Sequence, residues 1–150
     1  MTAPVVIREA VVRYRGSRKP LEGIRSPADA ARFVRRVVGG DAREHFVSLM
    51  LDARHRAIAY QVVSVGTATA SLVHPREVFQ PAVGLGACAV IVAHNHPSGD
   101  PTPSPEDREV TDRLIQAGRV LGIQVLDSIV VTEAGHVSIR EVEPARFGRG

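Results

Sequence analysis

Residues 87–107, ACAVIVAHNHPSGDPTPSPED, join an apolar run to a polar loop and then to a helix start. The run at 87–93 is continuously apolar, which predicts a central strand of a sheet. It includes the only cysteine, Cys88, which is therefore predicted to be an inert thiol in the core. The loop at 94–105 contains four prolines, too many for regular structure, and a helix with regularly spaced apolar residues follows it.

Outward from this segment, strand-like and helix-like patterns alternate along the chain. The residues SPAD at 26–29 have the types that favour a helix N-terminus, and this helix is predicted to stop at residues 39–40, both glycine. Another helix is predicted to begin at Pro75 and to end near Gly84 or Gly86. Further strands are predicted at residues 5–14, 44–51, 57–65, 123–131 and 136–139. The alternation predicts an α/β fold with one mixed sheet and flanking helices.

Composition places the chain among ordinary globular proteins. Its 150 residues are 44% hydrophobic and 23% charged, enough for one domain with a real core. No apolar run is long enough for a transmembrane helix, and the N-terminus lacks the plan of a signal peptide. A single cysteine cannot form an internal disulfide, so we expect a protein of the reducing cytoplasm without a membrane partner.

Basic residues outnumber acidic ones, with a formal net charge of +3 and an isoelectric point near 9.7. Lysine occurs once, at Lys19, and the arginines are scattered from Arg8 to Arg149. This distribution is typical of a solvated basic surface, and it is also compatible with a weak nucleic-acid footprint. Charge alone therefore does not decide whether nucleic acid is a partner.

His94 and His96 follow the predicted central strand directly. Residues two apart on a strand point to the same face, so the imidazoles should stand side by side where the strand meets the loop. In α/β sheets, ligands usually bind at such strand ends. The loop then supplies Ser104 and Asp107, and two imidazoles with one carboxylate suit zinc while leaving a fourth position for water. The spacing predicts a catalytic zinc site.

Ser104 and Asp107 also have a purely structural interpretation. Ser-Pro-x-Asp is a helix-start pattern, in which the serine caps the helix and the acid interacts with the helix dipole. The same pattern occurs at residues 26–29, where no histidine is near in sequence. By themselves Ser104 and Asp107 therefore indicate a cap, and only the two preceding histidines favour a site.

Other polar residues have open roles. Asp100 is an alternative third ligand, although an aspartate between glycine and proline is more typical of a turn. His74 precedes a helix start and is either structural or directed toward a substrate. Asn95 should point away from the two histidines and hold the loop in place. One cysteine is too few for a zinc deaminase, which requires a P-C-x-x-C pair.

Two stretches resemble a known family. Residues 94–107 match the H-x-H-x7-S-x2-D motif of the JAMM (MPN+) metallopeptidases. SVGTATASLVHPREVF at 64–79, followed by AHNHPSGDPTPSPED, resembles the bacterial RadC family. The resemblance implies a JAB/MPN fold, with its cytidine-deaminase-like architecture. It also implies that residues 1–150 form one domain with a core at about 24–139.

The resemblance also implies roles for individual residues. His94, His96 and Asp107 would bind zinc. Ser104 would help to hold the substrate carbonyl oxygen as it becomes an oxyanion. Glu44, at the head of EHFVSLMLD, matches the family's general base, a role that spacing alone could not assign. The chemistry requires such a carboxylate, because it can take a proton from water and later give it to the leaving amine.

Two functions follow as hypotheses. The first is a zinc-dependent hydrolase that uses metal-activated water on an amide or isopeptide bond of a protein or peptide. The alternative is a nucleic-acid-associated DNA-repair accessory factor with a mainly structural metal site, which the basic charge and the family's repair label favour. Typical RadC proteins carry a helix-hairpin-helix region before this domain, and we expect these 150 residues to lack one. That expectation disfavours the alternative.

Overall fold

The computed structural model describes residues 2–3, 7–11, 13, 15–16, 23–66 and 73–148. The predicted strand at 5–14 is wrong over residues 7–11 and 13, which form neither strand nor helix. Ile7 and Val11 are exposed there, and the remaining residues of that prediction lie outside the described part of the chain. A valine-rich run becomes a strand only where a neighbouring strand pairs with its backbone, which local pattern does not determine.

The other predicted elements are present, with ends that differ by at most a few residues. The strands are β1 (Glu44–Leu51), β2 (Ala57–Gly66), β3 (Ala89–Asn95), β4 (Gln124–Val131) and β5 (His136–Ser138). The α-helices are α1 (Pro27–Val38), α2 (Pro75–Leu85), α3 (Pro105–Leu121) and the short α4 (Ile139–Val142), which a 3-10 helix at Pro144–Phe147 follows. Residue 139, predicted to end the last strand, instead begins α4.

The five strands form one mixed sheet in the order β2-β1-β3-β4-β5. β3 and β4 are parallel and are connected through α3, whereas the other neighbouring pairs are antiparallel. The predicted α/β fold with one mixed sheet and flanking helices is therefore confirmed. β3 lies at the centre, so its end is enclosed by β1 on one side and β4 on the other.

Each face of the sheet has its own apolar core. On one face α1 buries Phe33 and Val34 against residues of β1, β3 and β4 that include Ala93. On the other face α2 and α3 bury Phe79 and Leu114 against alternate residues of the same strands. Because both faces are covered, most residues of β1 and β3 are apolar; the polar ones are Glu44, His45, Ser48, His94 and Asn95.

Cys88 is not in the core, contrary to the prediction. β3 begins at Ala89, and Cys88 is exposed just before it. Its backbone N–H donates to Leu51 O and its carbonyl accepts from Gln124 N, so the main chain is already held between the neighbouring strands. An apolar run indicates a strand but does not show which of its residues are buried. Cys88 precedes the strand, and its thiol is exposed to solvent.

Gly118 allows α3 to lie close to the strand that follows it. A Cβ at this position would lie 2.2 Å from Ile123 O, which is backbone, so no larger residue fits without displacing the turn into β4. The approach fixes the end of α3, while its first turn carries Asp107 toward the sheet. Within the described ranges, no helix combines the length and apolarity that a membrane span requires.

Candidate metal centre

The register between β1 and β3 brings distant polar residues together. The two strands are antiparallel, and Phe46 pairs with His94. Glu44 therefore lies two residues beyond Phe46 at one strand end, and His96 lies two residues beyond His94 at the adjacent end. Because strand side chains alternate, these residues share the face that α3 covers.

Three ligand atoms converge at this point. His94 Nε2 lies 3.0 Å from Asp107 Oδ1, and His96 Nε2 lies 3.1 Å from Asp107 Oδ2. The two Nε2 atoms are 3.1 Å apart. A tetrahedral ion with bonds of about 2.0–2.1 Å holds its ligand atoms roughly 3.3 Å apart, so the set has the dimensions of a metal site.

The tautomer of His96 supports the same conclusion. Its Nδ1 lies 2.9 Å from Asp100 O, a carbonyl that can only accept a hydrogen bond, so Nδ1 carries the proton. In a neutral ring, Nε2 then presents a lone pair to the Asp107 carboxylate. Two lone pairs this close need a cation or an added proton between them. An imidazole held by a carbonyl on its other nitrogen is the usual arrangement at protein metal sites.

Asp107 is buried and fixed at the start of α3. Its Oδ2 accepts from Ser104 N at 2.8 Å, and its own N–H donates to Ser104 Oγ at 3.1 Å, which is a complete capping box. Burial alone would raise the pKa of Asp107, but the His94 and His96 side chains hold that pKa far below its usual range. The carboxylate is therefore charged and faces the imidazoles. The Asp107 side chain also raises the pKa of His96.

His94 is the most enclosed of the three residues, at 2% exposure. Its ring stacks on Phe46, with centroids 5.9 Å apart and planes inclined by 5°. Its Nδ1 is buried and has no hydrogen-bond partner in the described structure. Packing against Phe46 and the contact of Nε2 with Asp107 therefore orient this ring.

Glu44 lies beside the two imidazoles. Its carboxylate oxygen and a ring nitrogen of each histidine lie within 4.8 Å of one another, a group able to hold a metal ion. The side chain is half-buried, and this burial raises the pKa of Glu44, although the neighbouring histidines oppose the shift. A carboxylate with a raised pKa is better suited to accept a proton than an exposed one.

Comparison with known proteins identifies a family. The family described as RadC-like JAB domain matches residues 24–144. The chain belongs to this family. The resemblance inferred from residues 64–79 and 94–107 is thereby confirmed, and the matched residues of the RadC-like JAB domain include every residue of the site described above.

Similar proteins occur in several organisms. The chain is 61% identical over 98 residues to UPF0758 protein STH371 of Symbiobacterium thermophilum, covering 65% of the chain and 42% of that relative. It is 49% identical over 118 residues to a UPF0758 protein of Rubrobacter xylanophilus, covering 79% and 52% respectively. It is 48% identical over 118 residues to UPF0758 protein ABC2615 of Shouchella clausii, covering 79% of the chain and 51% of that relative. The chain spans about half the length of the curated relatives it matches.

Asp100 and His74, whose roles the sequence left open, do not contribute side chains to the metal centre of the RadC-like JAB domain. The Asp100 carboxylate is exposed and accepts from Thr102 N, so it forms a turn, and only its backbone carbonyl supports His96. His74 is exposed at the N-terminus of α2 and makes no capping hydrogen bond. Residues 67–72 of the 64–79 stretch lie outside the described residues.

Asn95 has other partners than the predicted ones. It was expected to hold its own loop, but its amide bonds to the backbone of Arg43 and His45, about fifty residues earlier in the chain. A sequence pattern gives no signal for this contact, because it depends on the pairing of β1 with β3.

A cleft of about 620 Å³ opens beside His96 in the RadC-like JAB domain. It lies between the C-terminal end of α1, the segment 39–42, the loop 96–99 and the residues 131–133. Its volume is within the range of small-ligand pockets, but it lies on the side of the sheet that α1 covers, and among the residues of the metal centre only His96 lines it.

Proposed function

We propose that this chain is a zinc-dependent hydrolase that uses a water molecule to cleave an amide or isopeptide bond. The observation that carries the proposal is the convergence of His94, His96 and Asp107 within about 3 Å, with Glu44 beside them. Two imidazoles and one carboxylate suit zinc, and three protein ligands leave a position for water. Membership of the RadC-like JAB family supports the same assignment.

Each group has a role that its surroundings favour. A bound zinc ion would lower the pKa of a water molecule to about 7 and polarise the substrate carbonyl. Glu44, whose carboxylate lies beside both imidazoles, takes the proton from the attacking water and later delivers it to the leaving amine. Asp100 O and Phe46 keep the two imidazole rings in their orientations.

Ser104 combines two roles in this proposal. Its Oγ accepts a hydrogen bond from Asp107 N, which caps α3. The hydroxyl hydrogen is not used by that bond, so it can donate to the substrate carbonyl oxygen as negative charge develops on it. The cap holds the hydroxyl in place for that interaction.

The Ser104→Ala variant separates these roles. Loss of a cap costs on the order of 1 kcal/mol of unfolding free energy. Loss of an oxyanion donor lowers kcat by roughly 10²–10³-fold. We expect both effects, measured by thermal unfolding and by hydrolysis of the best available substrate.

Ser26→Ala is the matched control, because Ser26 caps α1 through Asp29 N at the same 3.1 Å and lies in the same Ser-Pro-x-Asp pattern. It should lose a similar stability without a change in kcat. Equal rates for the two variants would restrict Ser104 to capping.

The proposed function itself is tested by metal analysis and a substrate screen. The purified protein should contain about one zinc per chain and should cleave members of a panel of fluorogenic peptides and lysine-linked isopeptides. A chelator should abolish cleavage, and added zinc should restore it. A protein that binds zinc, cleaves nothing in the panel and binds DNA tightly at physiological salt would support the accessory-factor alternative, whereas dispersed arginines predict weak, salt-sensitive binding.

A further inference from the structure

The backbone pairing between β1 and β3 ends at His94 and does not extend to Glu44 or His96. Phe46 and His94 are the last paired residues, although β1 begins at Glu44. His96 instead donates its N–H to Val131 O at 2.8 Å, so the chain turns toward β4. The ladder alone therefore does not fix the distance between Glu44 and the imidazoles.

The Asn95 side chain occupies the gap. Its Oδ1 accepts from His45 N at 2.6 Å, and its Nδ2 donates to Arg43 O at 2.9 Å. The partners determine the amide orientation, because an N–H must meet the oxygen and a carbonyl must meet the nitrogen. Asn95 is 9% exposed, so water does not compete freely for these bonds. A side-chain amide thus replaces one residue of the missing ladder.

The two bonds lie on either side of Glu44. One fixes the carbonyl of the preceding residue and the other fixes the N–H of the following residue, while Asn95 itself lies between the two histidines in sequence. We propose that Asn95 is a positioning residue that holds Glu44 at a fixed distance from the imidazoles. This inference rests on the proposed function, in which Glu44 is the base.

Other contacts hold the backbone around Glu44, but they do not fix its position relative to β3. Gly66 of β2 pairs with it across the other edge of β1, and His45 Nδ1 lies 2.9 Å from Arg43 O. Without Asn95, β1 should therefore remain folded while its first residues shift relative to the metal centre. A shift of about 1 Å at a reacting group can lower a rate 10²-fold.

The first test is the Asn95→Ala variant of the full chain, loaded with zinc. On the best peptide of the panel, kcat should fall roughly 10–100-fold while KM and zinc content stay close to wild type. Asn95→Asp keeps an acceptor for His45 N but loses the donor to Arg43 O. Its kcat should therefore lie between that of wild type and that of Asn95→Ala. Ser138→Ala removes a comparably buried bond, to Asp127 at the other edge of the sheet, and should leave kcat unchanged.

A double substitution shows whether Asn95 acts through Glu44. Adding Asn95→Ala to a Glu44→Gln background should cause little further loss of kcat, because the group that Asn95 positions no longer transfers protons. Equal losses in both backgrounds, or an unchanged kcat in Asn95→Ala with zinc retained, would overturn the proposal. If Asn95→Ala does not fold, the same comparison is made with Asn95→Asp.

Two further readouts do not require a substrate. Hydrogen exchange at the His45 amide should accelerate about tenfold or more in Asn95→Ala, because its acceptor is removed. With Co²⁺ as the probe, the visible spectrum of Asn95→Ala should shift in the same direction as that of Glu44→Gln. If wild type cleaves no peptide, the proposed hydrolase function fails, but these two readouts still test whether Asn95 positions Glu44. An unchanged spectrum together with unchanged exchange would overturn that role for Asn95.

Discussion

Replacing His94 or His96 with alanine is expected to remove zinc from the purified protein. Each ring supplies one of the ligand atoms that converge at 3.0–3.1 Å, so either substitution removes a nitrogen from the set. Loss of an outer partner of a metal ligand already lowers metal affinity about 10–100-fold, so loss of a ligand should exceed roughly 100-fold. Metal analysis after gel filtration, together with a competition titration against a chelator, measures this effect.

His74→Ala is the matched control, because this histidine is exposed and lies outside the cluster. It should retain one zinc per chain, and its activity indicates whether His74 faces the substrate. Circular dichroism shows whether the buried His94 variant is folded, and His96→Ala repeats the test at a less enclosed ring. Full zinc occupancy in the double variant would place the metal elsewhere.

Most of the sheet could be predicted from hydrophobic pattern. β1 was predicted at its observed bounds and β3 and β4 within two residues, because a long apolar run is well buried in the middle of a covered sheet. β2 was predicted within one residue, although it is an edge strand and only partly buried. The N-terminal run at 5–14 has a similar composition but no strand in its described residues. The difference is the presence of a pairing partner, which is a property of the fold rather than of the segment.

The sequence predicted those residues of the candidate site that lie close together along the chain. His94, His96, Ser104 and Asp107 lie within fourteen residues, so strand alternation and a helix start were enough to bring them together. Glu44 comes from another strand, and its place depends on the β1–β3 register, so only family resemblance selected it. The Asn95 contacts depend on that same register, and no resemblance covered them.

Glu44→Gln should lower kcat strongly while leaving the protein folded and loaded with zinc. Glutamine keeps the size and hydrogen bonding of the side chain but cannot take a proton from the attacking water. A general base contributes typically 10²–10⁴-fold, so kcat should fall by roughly that factor. Glu44 must be charged to accept a proton, so wild-type activity should fall as pH drops through the pKa of this carboxylate in the zinc-loaded protein. Glu44→Gln should lack this pH dependence.

The controls show whether Glu44 is the general base, is a metal ligand instead, or leaves the role of base to another carboxylate. Glu44 lies close enough to the imidazoles to bind a metal, so loss of zinc in Glu44→Gln would assign it as a ligand. Activity retained with zinc bound would transfer the role to another carboxylate, and Glu106→Gln and Asp100→Asn test the next candidates. Both are exposed and the Asp100 carboxylate is engaged by Thr102 N, so we expect neither substitution to lower kcat appreciably. A zinc-loaded, inactive Glu44→Gln protein should also retain uncleaved substrate, because binding no longer leads to proton transfer.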